Sequence, residues 1–296
     1  MISLPTRVPA SHPVTMRTPE CRDVRRAGQP VRAATRVVGV GLRHQFHRGR
    51  VRAGGLTPLV SLDVKLREDE VLVPAPGCEI RSVVLCPFGE GPRPGVLLYT
   101  DIFQLTDSTL RTARRLAPAG FVVCVPEIYP RGALAGVAPE FDDAGKQAGL
   151  AGAAGTTTSQ FDGDRVAVLD FMEQRTDIRT LLAVGFCIGG HLAFRAAFEP
   201  RVAATVCFYP TGLHNGALGA DADAGSLARA ARIRGRLMIV FASQDPHVPA
   251  DARVQIMSAL YAAGLDDLEL RVTPAASTRS CATSALGTTR CSPTSR

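Results

Sequence analysis

The chain has 296 residues, 46% of them apolar and 21% charged, with a formal net charge of +7. That is enough apolar material for one large core, and the balance excludes a wholly disordered chain, a collagen and a coiled coil. No apolar run reaches the roughly 18 residues of a membrane helix and the start lacks the apolar segment of a secretory signal, so a soluble cytoplasmic protein is expected.

The charge is unevenly placed. Residues 1–52 carry eleven Arg against Glu20 and Asp23, which leaves the rest of the chain slightly acidic. Residues 1–65 alternate Arg, Pro, Gly and Ala without a sustained period and read as a disordered basic extension. Its aromatic content is limited to Phe46, so nucleic acid is not an expected partner. From about residue 78 short β-branched runs alternate with amphipathic stretches, the pattern of βα units around a mostly parallel sheet with helices on both faces. Strands are expected at 80–86, 95–100, 121–126, 181–185, 203–208, 237–242 and 267–272. Helices are expected at 107–118, 163–175, 188–198 and 250–263, the second capped by Asp162 or Asp164. Residues 131–160, rich in Gly and Ala, read as a long irregular insertion of the kind that builds active sites. One domain over about 66–272 results.

Eight cysteines show no CxxC pair or regular spacing, so neither a zinc site nor a disulfide framework is suggested. One of them is placed for chemistry. Gly185-Phe186-Cys187-Ile188-Gly189-Gly190 follows the strand-like Leu181–Val184 and opens a helix-like stretch. This is the arrangement of a nucleophile elbow, where small neighbours let the reactive side chain stand clear of a strained strand-to-helix turn. The partial positive charge of the helix N-terminus is expected to favour the thiolate. Cys124 and Cys207, inside apolar strands, read as structural. A second polar loop, Ser243 to Pro249, ends the strand at 237–242 and carries Asp245, placed as an acid that orients a histidine.

With these two motifs, Tyr99-Thr100-Asp101-Ile102-Phe103 and Pro126-Glu127-Ile128-Tyr129-Pro130-Arg131 complete a set of four in an order that resembles the dienelactone hydrolase family. The family consists of α/β-hydrolases that open lactone rings with a cysteine nucleophile. The resemblance implies Cys187 as nucleophile, Asp245 as triad acid and Asp101 as a carboxylate contacting the thiol. It further implies an oxyanion hole from the backbone N–H groups of Ile188 and Ile102, and Arg131 as a ligand for a substrate carboxylate. A solvated loop arginine is an equal reading of Arg131. The expected partner is a small lactone or ester, with no metal or organic cofactor; a non-catalytic member that binds a small carboxylate is the alternative.

Two departures stand out. The family usually has Glu where this chain has Asp101, and its catalytic histidine follows the last strand, whereas no His follows His247 here. Residues 271–296 hold eleven Ser or Thr and no acid or aromatic, unlike the preceding domain. Read one base back with GC-rich codons, the tail is compatible with the string EHAFMRDVGPRHDPVLADVA, which contains a His-x-Phe pair and a following Arg. A frameshift near Val272 is therefore expected to have removed the base and the final helix, leaving apolar sheet surface uncovered and the chain impaired in turnover.

Overall fold

Near-continuous apolar runs such as Val122–Pro126 and Arg93–Tyr99 suit strands buried on both faces, and they form the middle of one sheet. A computed structural model describes residues 34–42 and 62–274. Its nine strands are β1 (Ala34–Leu42), β2 (Leu62–Ala75), β3 (Cys78–Pro87), β4 (Arg93–Tyr99), β5 (Val122–Pro126), β6 (Ile178–Phe186), β7 (Val202–Phe208), β8 (Arg236–Ala242) and β9 (Leu268–Thr273). They lie in the order β1-β2-β3-β5-β4-β6-β7-β8-β9. The pairs β1–β2, β2–β3 and β3–β5 are antiparallel, and every pair from β5 through β4 to β9 is parallel. The α-helices are α1 (Asp107–Leu116), α2 (Asp143–Ala154), α3 (Thr158–Glu173), α4 (Ile188–Ala196) and α5 (Ala250–Ala262). This is the α/β-hydrolase architecture expected from the sequence.

The sheet separates two apolar layers. One is packed by α3, α4 and α5 through Leu169, Met172, Leu192, Phe194, Ile256 and Leu260. The other is packed by α1 through Leu110 and Ala113. On this second face Leu182, Val184, Val206 and Met238 stay partly exposed, while their strand neighbours pointing the other way, Leu181, Ala183, Cys207 and Ile239, are buried. The expected loss of a final helix concerns residues 275–296, outside those described. Among the described residues no helix is long and apolar enough to cross a membrane.

Three expectations need correction. First, residues 34–42 and 62–65 of the supposed basic extension form β1 and the start of β2. The charged run Arg67 to Glu70 hides the alternation of β2, but its charges are paired. Glu68 accepts from the Arg114 Nε and guanidinium NH2 at 2.9 and 2.8 Å, and Arg67 meets Asp69 at 2.7 Å. The remainder of 1–65 lies outside the described residues. Second, the supposed irregular insertion contains α2 and the first three residues of α3. Asp142 caps α2 by accepting from the Gly145 N–H at 2.7 Å. Third, α3 begins at Thr158 because Thr157 and Gln160 form a reciprocal capping box. Asp162 and Asp164 therefore sit inside the helix and cap nothing; each is used in an ion pair instead.

Candidate active site

The turn from β6 into α4 fixes the sulfur. Cys187 has φ 59° and ψ −123°, a conformation an L-residue rarely adopts. Its N–H donates to the Phe208 carbonyl at 3.1 Å, and its own carbonyl accepts from Gly190 N–H at 3.0 Å and Thr211 N–H at 3.2 Å. The glycines around it are a matter of space. A Cβ on Gly185 would lie 1.9 Å from the Gly189 oxygen, and one on Gly189 would lie 2.1 Å from the Thr100 oxygen. The motif thus allows α4 to start against the ends of β4 and β6.

Asp101 follows the end of β4, and its Oδ1 accepts from the Phe103 N–H at 2.9 Å. Asp245 follows the end of β8, is 3% exposed, and its Oδ1 accepts from the His247 N–H at 2.9 Å. Both carboxylates act electrostatically on the Cys187 sulfur, which also feels the Ile188 N–H and the Thr211 hydroxyl. The structure therefore gathers Cys187, Asp101, Asp245 and Ile188 at the carboxyl ends of the strands. Ile102 lies in the adjoining turn, where α2 packs so closely that a Cβ on Gly149 would be 2.5 Å from the Ile102 oxygen.

The expected activation of the thiol by the helix end is outweighed. Burial pushes Cys187 up to about 11 and outweighs the Thr211 hydroxyl and the Ile188 N–H, which lower it, while Asp101 and Asp245 add smaller upward contributions. Burial likewise raises Asp101, offset in part by the Phe103 N–H. Arg131 is committed elsewhere: its two terminal nitrogens donate to Asp164 at 2.7 and 2.8 Å and one also to the Pro76 carbonyl at 2.7 Å. It is neither free in solvent nor open to a carboxylate, which would have to displace Asp164.

No histidine among the described residues serves the sulfur or the acid. His191 is fully buried, with Nδ1 3.1 Å from the Thr211 carbonyl oxygen and Nε2 2.7 Å from the Ser226 hydroxyl. Burial holds it down to about 3, which fits a neutral ring. His247 meets Asp245 through its backbone N–H, with its side chain exposed. Asp245 Oδ2 is buried without a hydrogen-bond partner. An orphaned carboxylate oxygen at this place is what an acid looks like when the group it orients is not in reach.

Sequence reasoning missed three residues. Thr211 follows β7, and its Oγ1 lies 3.7 Å from the Cys187 Sγ. Gln104, with φ 60°, is buried and fully used: Oε1 accepts from the Ile128 and Tyr129 N–H groups, while Nε2 donates to the Leu134 and Val137 carbonyls. It ties the Asp101 turn to the loop after β5. Tyr129 has a buried, unpartnered hydroxyl in electrostatic reach of Cys187 and Asp101. Spacing alone gives no signal for any of them, because each acts from a loop whose path depends on the assembled sheet.

A sheet with this crossing order and an elbow at the start of α4 defines an α/β-hydrolase. The dienelactone hydrolase family model matches residues 80–276, and the chain belongs to that family. It is 31% identical over 193 residues to a Saccharomyces cerevisiae protein called "Putative carboxymethylenebutenolidase", covering 62% of this chain and 70% of that one. Among solved structures, a "Putative Dienelactone Hydrolase" from Klebsiella pneumoniae aligns with a TM-score of 0.64 at 23% identity, over 74% of this chain and 89% of that one. A dienelactone hydrolase-like promiscuous phosphotriesterase from metagenomic libraries aligns with a TM-score of 0.59, also at 23% identity, over 72% and 83%. These structural likenesses bear on the fold.

Proposed function

We propose that the protein hydrolyses small lactones or activated carboxylic esters through Cys187, in the manner of a carboxymethylenebutenolidase. The observation that carries this reading is the elbow itself: a cysteine at φ 59° on a glycine-cleared turn, with two carboxylates acting on its sulfur. The thiolate attacks the carbonyl carbon, a C–S bond forms, and the carbonyl electron pair moves onto oxygen. The N–H groups of Ile188 and Ile102 are the donors for that oxyanion. Collapse expels the alkoxide, which takes a proton from water, and a second water cleaves the thioester to release the acid and restore the thiol.

The chemistry divides unevenly between the two halves. Attack needs only the thiolate fraction and the oxyanion donors. Cleavage of the thioester needs an activated water, and no described histidine supplies the base for it. Acylation followed by slow release is the expected behaviour, with losses of several powers of ten against an intact triad. The unpartnered Asp245 Oδ2 also favours the second reading, a member that retains the pocket but turns nothing over.

Stopped-flow mixing with p-nitrophenyl acetate separates the two. The proposal predicts a burst of about one nitrophenolate per protein, followed by a slow phase, with the burst lost in Cys187→Ala. A trace without a burst, or one unchanged in Cys187→Ala, refutes it and favours the second reading.

A further inference from the structure

Outside the residues already placed at the site, a buried polar chain in the described structure ends on the nucleophile's neighbour. Arg195, 1% exposed, is anchored by Asp162, to which its Nε and one terminal nitrogen donate at 2.9 and 2.5 Å. Its other terminal nitrogen donates to the Ala224 carbonyl at 2.9 Å and to the Ser226 hydroxyl oxygen at 2.8 Å. The Ser226 oxygen accepts from Arg195, so its own proton is free to point at His191 Nε2, 2.7 Å away. The Thr211 carbonyl can only accept, so His191 Nδ1 carries the ring proton and donates at 3.1 Å. Donor and acceptor roles along the chain are fully determined, and the tautomer follows from them.

We propose that His191 is a positioning residue for the thiol: through its Nδ1–H it fixes the Thr211 peptide and thereby holds the Thr211 hydroxyl against the Cys187 sulfur. The inference rests on the reading of Cys187 as nucleophile. Thr211 is pinned at two other points, its N–H on the Cys187 carbonyl and the neighbouring Gly212, where a Cβ would lie 2.1 Å from the Ala217 oxygen. With its carbonyl also held, the Thr211 backbone is placed so that the hydroxyl lies 3.7 Å from Sγ, where its proton favours the thiolate. Asp101, Asp245 and Tyr129 act on the sulfur in the same region. Arg195, Asp162 and His214 act on His191. The Ile188 N–H is a second donor to the sulfur, with a smaller effect than the Thr211 hydroxyl.

The test is the rate of iodoacetamide labelling of Cys187 in the full-length protein at pH 8.5, read by peptide mass spectrometry with the Cys78 peptide as internal control. Below the thiol midpoint the rate follows the thiolate fraction, so a rise of about half to one pH unit slows labelling about three- to tenfold. That slowing is expected for Thr211→Val and for His191→Leu, with the double variant no slower than Thr211→Val. His191→Asn, which keeps a donor near the Nδ1 position, is expected within about twofold of wild type. Labelling at the wild-type rate in Thr211→Val, or in His191→Leu while Thr211→Val is slow, overturns the proposal. Should His191→Leu fail to fold by circular dichroism, Ser226→Ala replaces it; wild-type labelling in Ser226→Ala is equally contradictory. Labelled protein that still hydrolyses ester overturns the nucleophile reading instead, whatever the variant rates.

Discussion

Lowering the pH from 7 to 5 is expected to remove about 2 kcal/mol of folding stability through His191 alone. In the folded protein its burial lowers the ring to about 3 from an ordinary value of 6.5. Its contribution is fully present above 6.5 and is lost as the pH falls toward 3, because the unfolded chain takes up a proton that the folded chain refuses. Each unit below 6.5 is worth about 1.4 kcal/mol, so 1.5 units give about 2 kcal/mol at pH 5. Urea unfolding followed by circular dichroism at the two pH values, for wild type and His191→Asn, isolates the residue from the carboxylates and other histidines that titrate alongside it. Wild type is expected to lose about 2 kcal/mol more than the variant over this range. Parallel losses in the two proteins would show that the ring is protonated in the fold and refute the assignment of a neutral Nδ1–H tautomer.

Three further outcomes follow from the geometry. Asp245→Asn removes a negative charge that disfavours the thiolate without breaking a bond to a histidine, so iodoacetamide labelling of Cys187 at pH 8.5 should become about two- to fivefold faster; slower labelling would mean that Asp245 supports the thiolate. Gly189→Ala forces a methyl group to within 2.1 Å of the Thr100 oxygen, and thermal melting should report a loss of about 3 kcal/mol or more; a melting temperature like that of wild type contradicts the close approach of α4 to the end of β4. Gln104→Leu strands the N–H groups of Ile128 and Tyr129 and two carbonyls, at about 1–3 kcal/mol for each group left buried. Amide exchange at Tyr129 should accelerate by at least tenfold, and unchanged protection would sink the account of Gln104 as the tie between the two loops.

The parallel half of the fold was legible because its strands are apolar runs of the right length and its elbow has an unambiguous spacing. The expected helix at 250–263 is observed at Ala250–Ala262, and the expected strand at 203–208 at Val202–Phe208. β2 was hidden because ion pairs with Arg114, with Arg81 of β3 and within the strand between Arg67 and Asp69 satisfy charges that, in sequence, interrupt its period. α2 was hidden because Gly145, Gly149 and Gly152 read as loop residues, whereas Gly145 and Gly149 face backbone oxygens, and Gly152 the Leu134 and Tyr129 side chains, at distances that leave no room for a Cβ without a shift. At the site, chain order was enough to bring Cys187, Asp101 and Asp245 to one end of the sheet. The ionisation of the thiol was misjudged, since a helix end is visible in sequence and the desolvation opposing it is not. Arg131 was equally opaque: its partner Asp164 is 33 residues away, on a helix whose start the sequence placed five residues too late.

Acid quenching the protein within seconds of adding p-nitrophenyl acetate, followed by intact mass and peptide mapping, addresses the nucleophile directly. The account predicts a single added acetyl group on the peptide that contains residue 187, persisting for many seconds and removable by hydroxylamine at neutral pH. Acetyl groups spread over lysines or other cysteines, or protein of unchanged mass, would contradict it.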